Sequence, residues 1–166
     1  MPRTTLRKLV LTLHVTSSVG WLGAVVAYLA IAVAGLRSSD AELVRGAFRT
    51  MELVGFTVIV PLSIATLATG LFQSLATEWG LFRHYWIIAK LVIAAVATAI
   101  LLVHMNTAVT SAAAAAADAA FSKDGLGMLP TQLVVHAAGG LVALVIATVL
   151  SVFKPWGRTA YGERVA

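Results

Sequence analysis

Apolar residues along this chain fall into four long runs, at 9–36, 53–76, 85–105 and 133–153, separated by polar stretches. Each run reaches the roughly 20 residues that an α-helix needs to cross about 30 Å of hydrocarbon. The runs are continuous instead of alternating, which excludes the strands of a membrane barrel, whereas a helix satisfies its own backbone in lipid. The pattern predicts an all-α fold, a four-transmembrane-helix bundle forming one domain over 1–166.

The links differ in character. Residues 37–52 (RSSDAELVRGAFRTME) are polar, with a helical reading over 40–49. Residues 77–84 (TEWGLFRH) predict a tight turn. Residues 106–132 carry an alanine-rich stretch of high helix propensity, SAAAAAADAAF, read as a helical spacer or lid. A breaker cluster, KDGLGMLP, then precedes the fourth run. Pro61, with Ser63, Thr66 and Thr69, predicts a kink whose freed carbonyls find hydroxyl partners. Arg3, Arg7 and Lys8 before the first run, with Ala32-Val33-Ala34 near its end, imitate a secretory signal. That run exceeds the 7–15-residue core of a signal peptide and is read as a retained first helix.

Composition sharpens the picture. Hydrophobic residues make up 60% of the 166 positions and charged ones 11%, against about 25% charged in soluble domains. Such a chain cannot wet an outer surface, so its solvent is lipid. The absence of cysteine excludes disulfides and thiolate metal sites. A net charge of +5 invites a nucleic-acid reading, but the basic residues sit at helix ends. Four spans put both termini and the 77–84 turn on one side, with Arg3, Arg7, Lys8, Arg83, Lys154, Arg158 and Arg164. The other side holds Arg37, Arg45, Arg49 and Lys123. The bias predicts cytoplasmic termini in a bacterial inner membrane. Trp79, Tyr85, Trp86, Trp156 and Tyr161 gather on the same side as an interfacial belt, with His84 as a headgroup contact. Nucleic acid is thereby excluded as a partner, and the bilayer takes its place.

Four ionisable residues lie inside the runs: His14, Lys90, His104 and His136. Such groups are expensive in lipid and mark functional sites. Counting depth from the span ends pairs His14 with Lys90 at one level and His104 with His136 at the other. Lys90 and His104 are roughly 21 Å apart along one helix and lie on nearly one face. Ser17, Ser18 and Trp21 continue the His14 stripe. Gly139 and Gly140, one turn from His136, predict a slot for something flat, although glycines also serve plain helix packing. Imidazoles from facing helices beside small residues suit axial ligation of heme iron. One b-type heme is expected between His104 and His136, with Arg45, Arg49 or Lys123 pairing its propionates. His14 and Lys90 would serve a second or alternative site. The competing reading is copper(I), held by Met51, His104, Met105, Met128 and His136. Hydrolase and phosphate-binding motifs are absent, and no carboxylate lies deep in a span; Glu52 and Glu78 sit at ends.

The stretch LHVTSSVGWLGAVVAYL resembles the first helix of the heme-binding four-helix protoporphyrinogen oxidases, with His14 seven residues before Trp21. Ala89-Lys90-Leu91 and Lys154-Pro155-Trp156 are similar to that family's third-helix lysine context and last-helix end. The resemblance implies heme-linked roles for His14 and Lys90. His136 and Gly139-Gly140 stand where that family carries an N-E-x-P-like segment. GLFRHYWIIAKL and VFKPWGRTAYG resemble a bacterial group of four-helix integral-membrane proteins classed as a domain of unknown function, which implies architecture alone. A weaker likeness runs to copper-resistance membrane proteins. The functional expectation is a membrane b-type heme protein with one or two hemes, carrying electrons or doing quinone- or porphyrin-linked redox chemistry. A homo-oligomer or a membrane redox partner fits that expectation. The alternatives are copper handling and a non-catalytic subunit of a larger membrane complex.

Overall fold

The structure is a computed structural model that describes residues 3–76, 80–118 and 121–164. Glu78 and Trp79 of the 77–84 turn lie outside the described residues, as does the end of the alanine stretch. The chain is helical, with no strand among the described residues, and four helices are long and apolar enough to cross a membrane.

Helix α1 (Arg3–Arg37) buries Ser17, Trp21, Val25, Tyr28 and Ala32, a stripe at helical spacing. Leu13, Val15, Val19 and Val26 on its other faces are exposed, the inversion expected where lipid is the solvent. Asp40 then caps the next helix in extended backbone, its Oδ1 accepting from the Glu42 N–H at 3.0 Å.

From that cap α2 (Ala41–Val54), a π-helical turn (Gly55–Ile59) and α3 (Val60–Ala76) run on as one rod. Likewise α4 (Tyr85–His104), a second π-helical turn (Met105–Val109) and α5 (Thr110–Ala117) are continuous. The expected boundaries at 53 and 105 are therefore corrected: both helices extend past the apolar runs. At 1.5 Å per residue these rods are about 50 Å long, well beyond the hydrocarbon thickness. The reason is amphipathy, since α2 buries Val44, Ala47, Phe48 and Met51 and leaves its charged face outside. It packs on α5, whose Ala112, Ala113 and Ala116 allow close approach. The two π turns meet, with the Met105 side chain lying against Gly55. Hydroxyls of Thr57 and Thr107 and the Asn106 amide donate to carbonyls one turn earlier, at 2.7–2.8 Å. Just before Pro61, where a kink is expected, stands a π turn. Of the hydroxyls assigned to that kink, Ser63 donates to Val60 O, while Thr66 and Thr69 serve α1 and their own helix.

Helix α6 (Leu129–Phe153) closes a ring in which α1 touches α3, α3 touches α4, α4 touches α6 and α6 returns to α1. The tightest packing, around Val44, Phe48, Met51, Met105 and Leu133, lies at the end away from the termini. At the opposite end Lys154 ends α6 in the left-handed region (φ 46°). The short α7 (Ala160–Arg164) then docks on the loop before α4. The Thr159 N–H donates to Arg83 O at 2.9 Å, its hydroxyl donates to Phe82 O at 2.6 Å, and Arg158 bridges His84. Gly162 lies so close that a Cβ would collide with the Arg83 carbonyl. Gly162→Ala is expected to undock α7, at a cost of about 1–3 kcal/mol from the lost hydrogen bonds. Limited proteolysis in detergent micelles should then cut after Phe153 before the spans unfold.

Candidate functional site

Two cavities open between the spans, and each holds one of the expected pairs. The first, about 300 Å³, is lined by His14, Lys90, Arg7, Trp21, Trp86 and Gln73 among others. Its histidine is held by α3. His14 Nδ1 lies 3.2 Å from the Thr66 carbonyl and 3.0 Å from Thr69 Oγ1. A carbonyl only accepts, so Nδ1 carries the proton and donates, and Nε2 keeps the free lone pair. The ring rests on Gly70, where a Cβ would come within 3.0 Å of it. Ser17 and Ser18 donate to His14 O, Thr66 donates to Ser17, and Gln73 Nε2 donates to Val10 O, lacing α1 to α3. Lys90 Nζ stands 5.4 Å from the centroid of the Trp86 ring. Among the described residues the lining thus carries two cations, Arg7 and Lys90, and no carboxylate.

The second cavity, about 550 Å³, is almost wholly apolar and is bounded by α1, α4 and α6. It is lined by Tyr28, His104, His136, Gly139 and Gly140. Trp21, Ile93 and Leu144 line both cavities and form the wall between them. A Cβ on Gly139 or Gly140 would meet nothing within 4 Å, so these glycines hold open space in place of a helix contact. His136 Nδ1 is 2.8 Å from Gln132 O and therefore donates to it. The Tyr28 hydroxyl and His104 Nε2 are buried with no hydrogen-bond partner. Valines 92, 96 and 135 and Ile100 on the lining are each more than half exposed, so the cavity opens sideways between α4 and α6.

His104 and His136 do meet, but as a face-to-face stack, with ring centroids 4.1 Å apart and planes 15° from parallel. Iron between two axial imidazoles needs both rings to point nitrogen-first at the metal, at bonds of about 2.0–2.1 Å. Stacked rings leave no place for metal or macrocycle between them. The two rings are thus not set as axial ligands of one iron in this structure.

The propionate partners proposed with it are occupied elsewhere. Arg45 and Arg49 both donate to Ala116 O, at 3.1 and 3.2 Å, and so cap the end of α5. Lys123 Nζ donates to Leu36 O and Ser38 O at 2.6 and 2.5 Å and caps α1. Helix ends present unpaired carbonyls, and cations satisfy them. Lys123→Met is expected to cost about 1–3 kcal/mol through those unmade bonds, read as a lower unfolding midpoint.

The residues of the copper reading are spread over different surroundings. Met105 packs on Gly55, Met51 is fully buried in the core, and Met128 is 68% exposed. Among the described residues no group of three or more His, Asp or Glu converges on one point.

The chain matches no protein-family model, no curated protein and no solved structure. The resemblances noted in the sequence thus stand without support.

Three participants were not legible as site residues. The sequence pattern places Thr69 in the kink, Tyr28 in the first apolar run and Arg7 in the basic terminus. A signal existed for α3, because Ser63, Thr66, Gly70, Gln73 and Ser74 recur at helical spacing and mark a polar stripe through an apolar span.

Proposed function

We propose that this chain is a multi-pass protein of the bacterial inner membrane that binds one b-type heme at His14 and acts in electron transfer. The observation that carries the reading is the hydrogen bonding of His14. Its Nδ1–H is committed to Thr66 O and Thr69 Oγ1, which leaves Nε2 as the basic nitrogen of a cavity-lining ring. That is the outer-shell arrangement by which proteins orient a metal-binding histidine. Arg7 and Lys90 line the same space and would neutralise the two propionates. The cavity stands at the low end of the roughly 300–1,000 Å³ typical of ligand sites, and its rim at Leu11 is half exposed. A bound b-type heme supplies one-electron chemistry. We assign the termini to the cytoplasm on the excess of basic residues at their end.

The test is the optical spectrum. Protein purified from heme-supplied cells is expected to show a Soret band that shifts on reduction. A colourless, metal-free product that tolerates alanine at His14, His104 and His136 and co-purifies with a stoichiometric partner would instead support a non-catalytic subunit.

A further inference from the structure

Arg7 and Lys90 line the first cavity with no anion beside them. Apart from the Trp86 ring that faces Lys90, neither side chain has a hydrogen-bond or ion-pair partner among the described residues. A cation at a membrane helix is costly unless something of opposite charge meets it, so the pair calls for an anionic ligand.

Depth and shape narrow the choice. Arg7 stands just before the first apolar run, and Lys90 lies only five residues into α4. That is about 7.5 Å by helix rise, which a lysine side chain spans to reach headgroup level. Beyond the two cations the wall turns apolar at Leu22, Leu67, Leu91 and Ala94. Along α1 the lining runs from Arg7 to Trp21, about 21 Å at the rise of a helix. One acyl chain spans about 15 Å, half the hydrocarbon thickness. The rim residues Leu11 and Leu71 are 50% and 38% exposed within apolar spans, so a chain can enter from the lipid side. An anionic group above an apolar tail matches both parts of the lining.

We propose that, in the absence of heme, the first cavity binds one anionic phospholipid. Its phosphate sits between Arg7 and Lys90, and one acyl chain follows the apolar wall. Basic pockets between membrane helices bind such headgroups. Inorganic phosphate offers the same anionic chemistry, but only the lipid also fills the apolar part. The lipid site stands independently of the heme reading. Where both hold, heme propionates and lipid phosphate exclude each other, because they use the same two cations.

Native mass spectrometry of the full chain, purified free of heme, reads the binding directly. Dioleoylphosphatidylglycerol is expected to bind once per chain and roughly tenfold or more tightly than dioleoylphosphatidylcholine, whose choline the two bases repel. Lys90→Met and Arg7→Gln should each weaken it about fivefold. Lys8→Gln makes the same charge change at the same end but off the lining, and should leave binding unchanged. Ala94→Leu obstructs the apolar wall and should also weaken the lipid, with Ala147→Leu as the second variant should the first fail to fold. Millimolar inorganic phosphate should not displace it.

Equal affinity for the two lipids overturns the proposal, as does a loss in Lys8→Gln as large as that in Lys90→Met. Full binding by a folded Ala94→Leu or Ala147→Leu protein overturns it too, and displacement by inorganic phosphate makes the free anion the ligand instead. A heme-loaded protein that keeps one phosphatidylglycerol per chain also overturns it. A protein that binds the lipid as described and takes no heme supports this site and sinks the heme reading alone.

Discussion

Replacing His14 with alanine is expected to abolish the Soret band while the bundle still assembles. The ring makes hydrogen bonds to Thr66 O and Thr69 Oγ1, and losing them costs about 1–2 kcal/mol. The rest of the α1–α3 seam persists through Thr66 to Ser17 and Gln73 to Val10. Loss of an axial ligand, by contrast, removes the only imidazole lining that cavity among the described residues. Two further measurements separate ligation from a structural role. Added imidazole should restore part of the spectrum in His14→Ala, because the vacated space admits a free ring. Thr69→Val keeps the histidine but removes one of its two orienting partners, and such outer-shell changes weaken metal binding about 10–100-fold. His104→Ala and His136→Ala should both keep the band, since their rings lie against each other in the other cavity. A Soret band that survives His14→Ala and vanishes with His136→Ala would overturn the assignment and return the iron to the second cavity.

How much of this was readable beforehand follows from what lipid selects. A span must be apolar over about 30 Å, so the four spans were legible as runs. Their extensions were not, because α2 obeys helical amphipathy instead of uniform hydropathy and α5 is an alanine run. The helicity of 40–49 and of the alanine stretch was legible, but not that each continues a span through a π turn. Depth counting placed His14 level with Lys90 and His104 level with His136, since rise per residue is fixed. It could not supply azimuth. A count of residues does not distinguish two imidazoles pointing at a shared metal from two lying face to face. Arg45, Arg49 and Lys123 illustrate the same limit. Their charge and their end of the bundle were evident, yet the carbonyls they cap exist only once α5 and α1 have ended where they do.

Gly55→Val is expected to be strongly destabilising. Gly55 opens one π turn and Met105 opens the other, and the two residues touch where the rods cross. A Cβ at 55 would stand 2.6 Å from Met105 Sδ. A methionine tip can usually swing aside, but Met105 is wholly buried, within the cluster that includes Val44, Phe48, Met51 and Val109. Overpacking of this kind costs about 1–3 kcal/mol, and the branched side chain adds further clash. The same Cβ would meet the Tyr28 ring at 3.8 Å, an ordinary contact, so the clash lies with Met105 alone. Thermal unfolding in detergent should therefore show a large drop for Gly55→Val and a smaller one for Gly55→Ala. Met105→Ala alone should cost about 2–5 kcal/mol by leaving a cavity. In the double variant the new Cβ occupies part of that cavity, so the combined loss should be clearly less than the sum of the two. Strict additivity would mean that the two π turns do not pack through this pair, and that Gly55 is needed for its backbone alone.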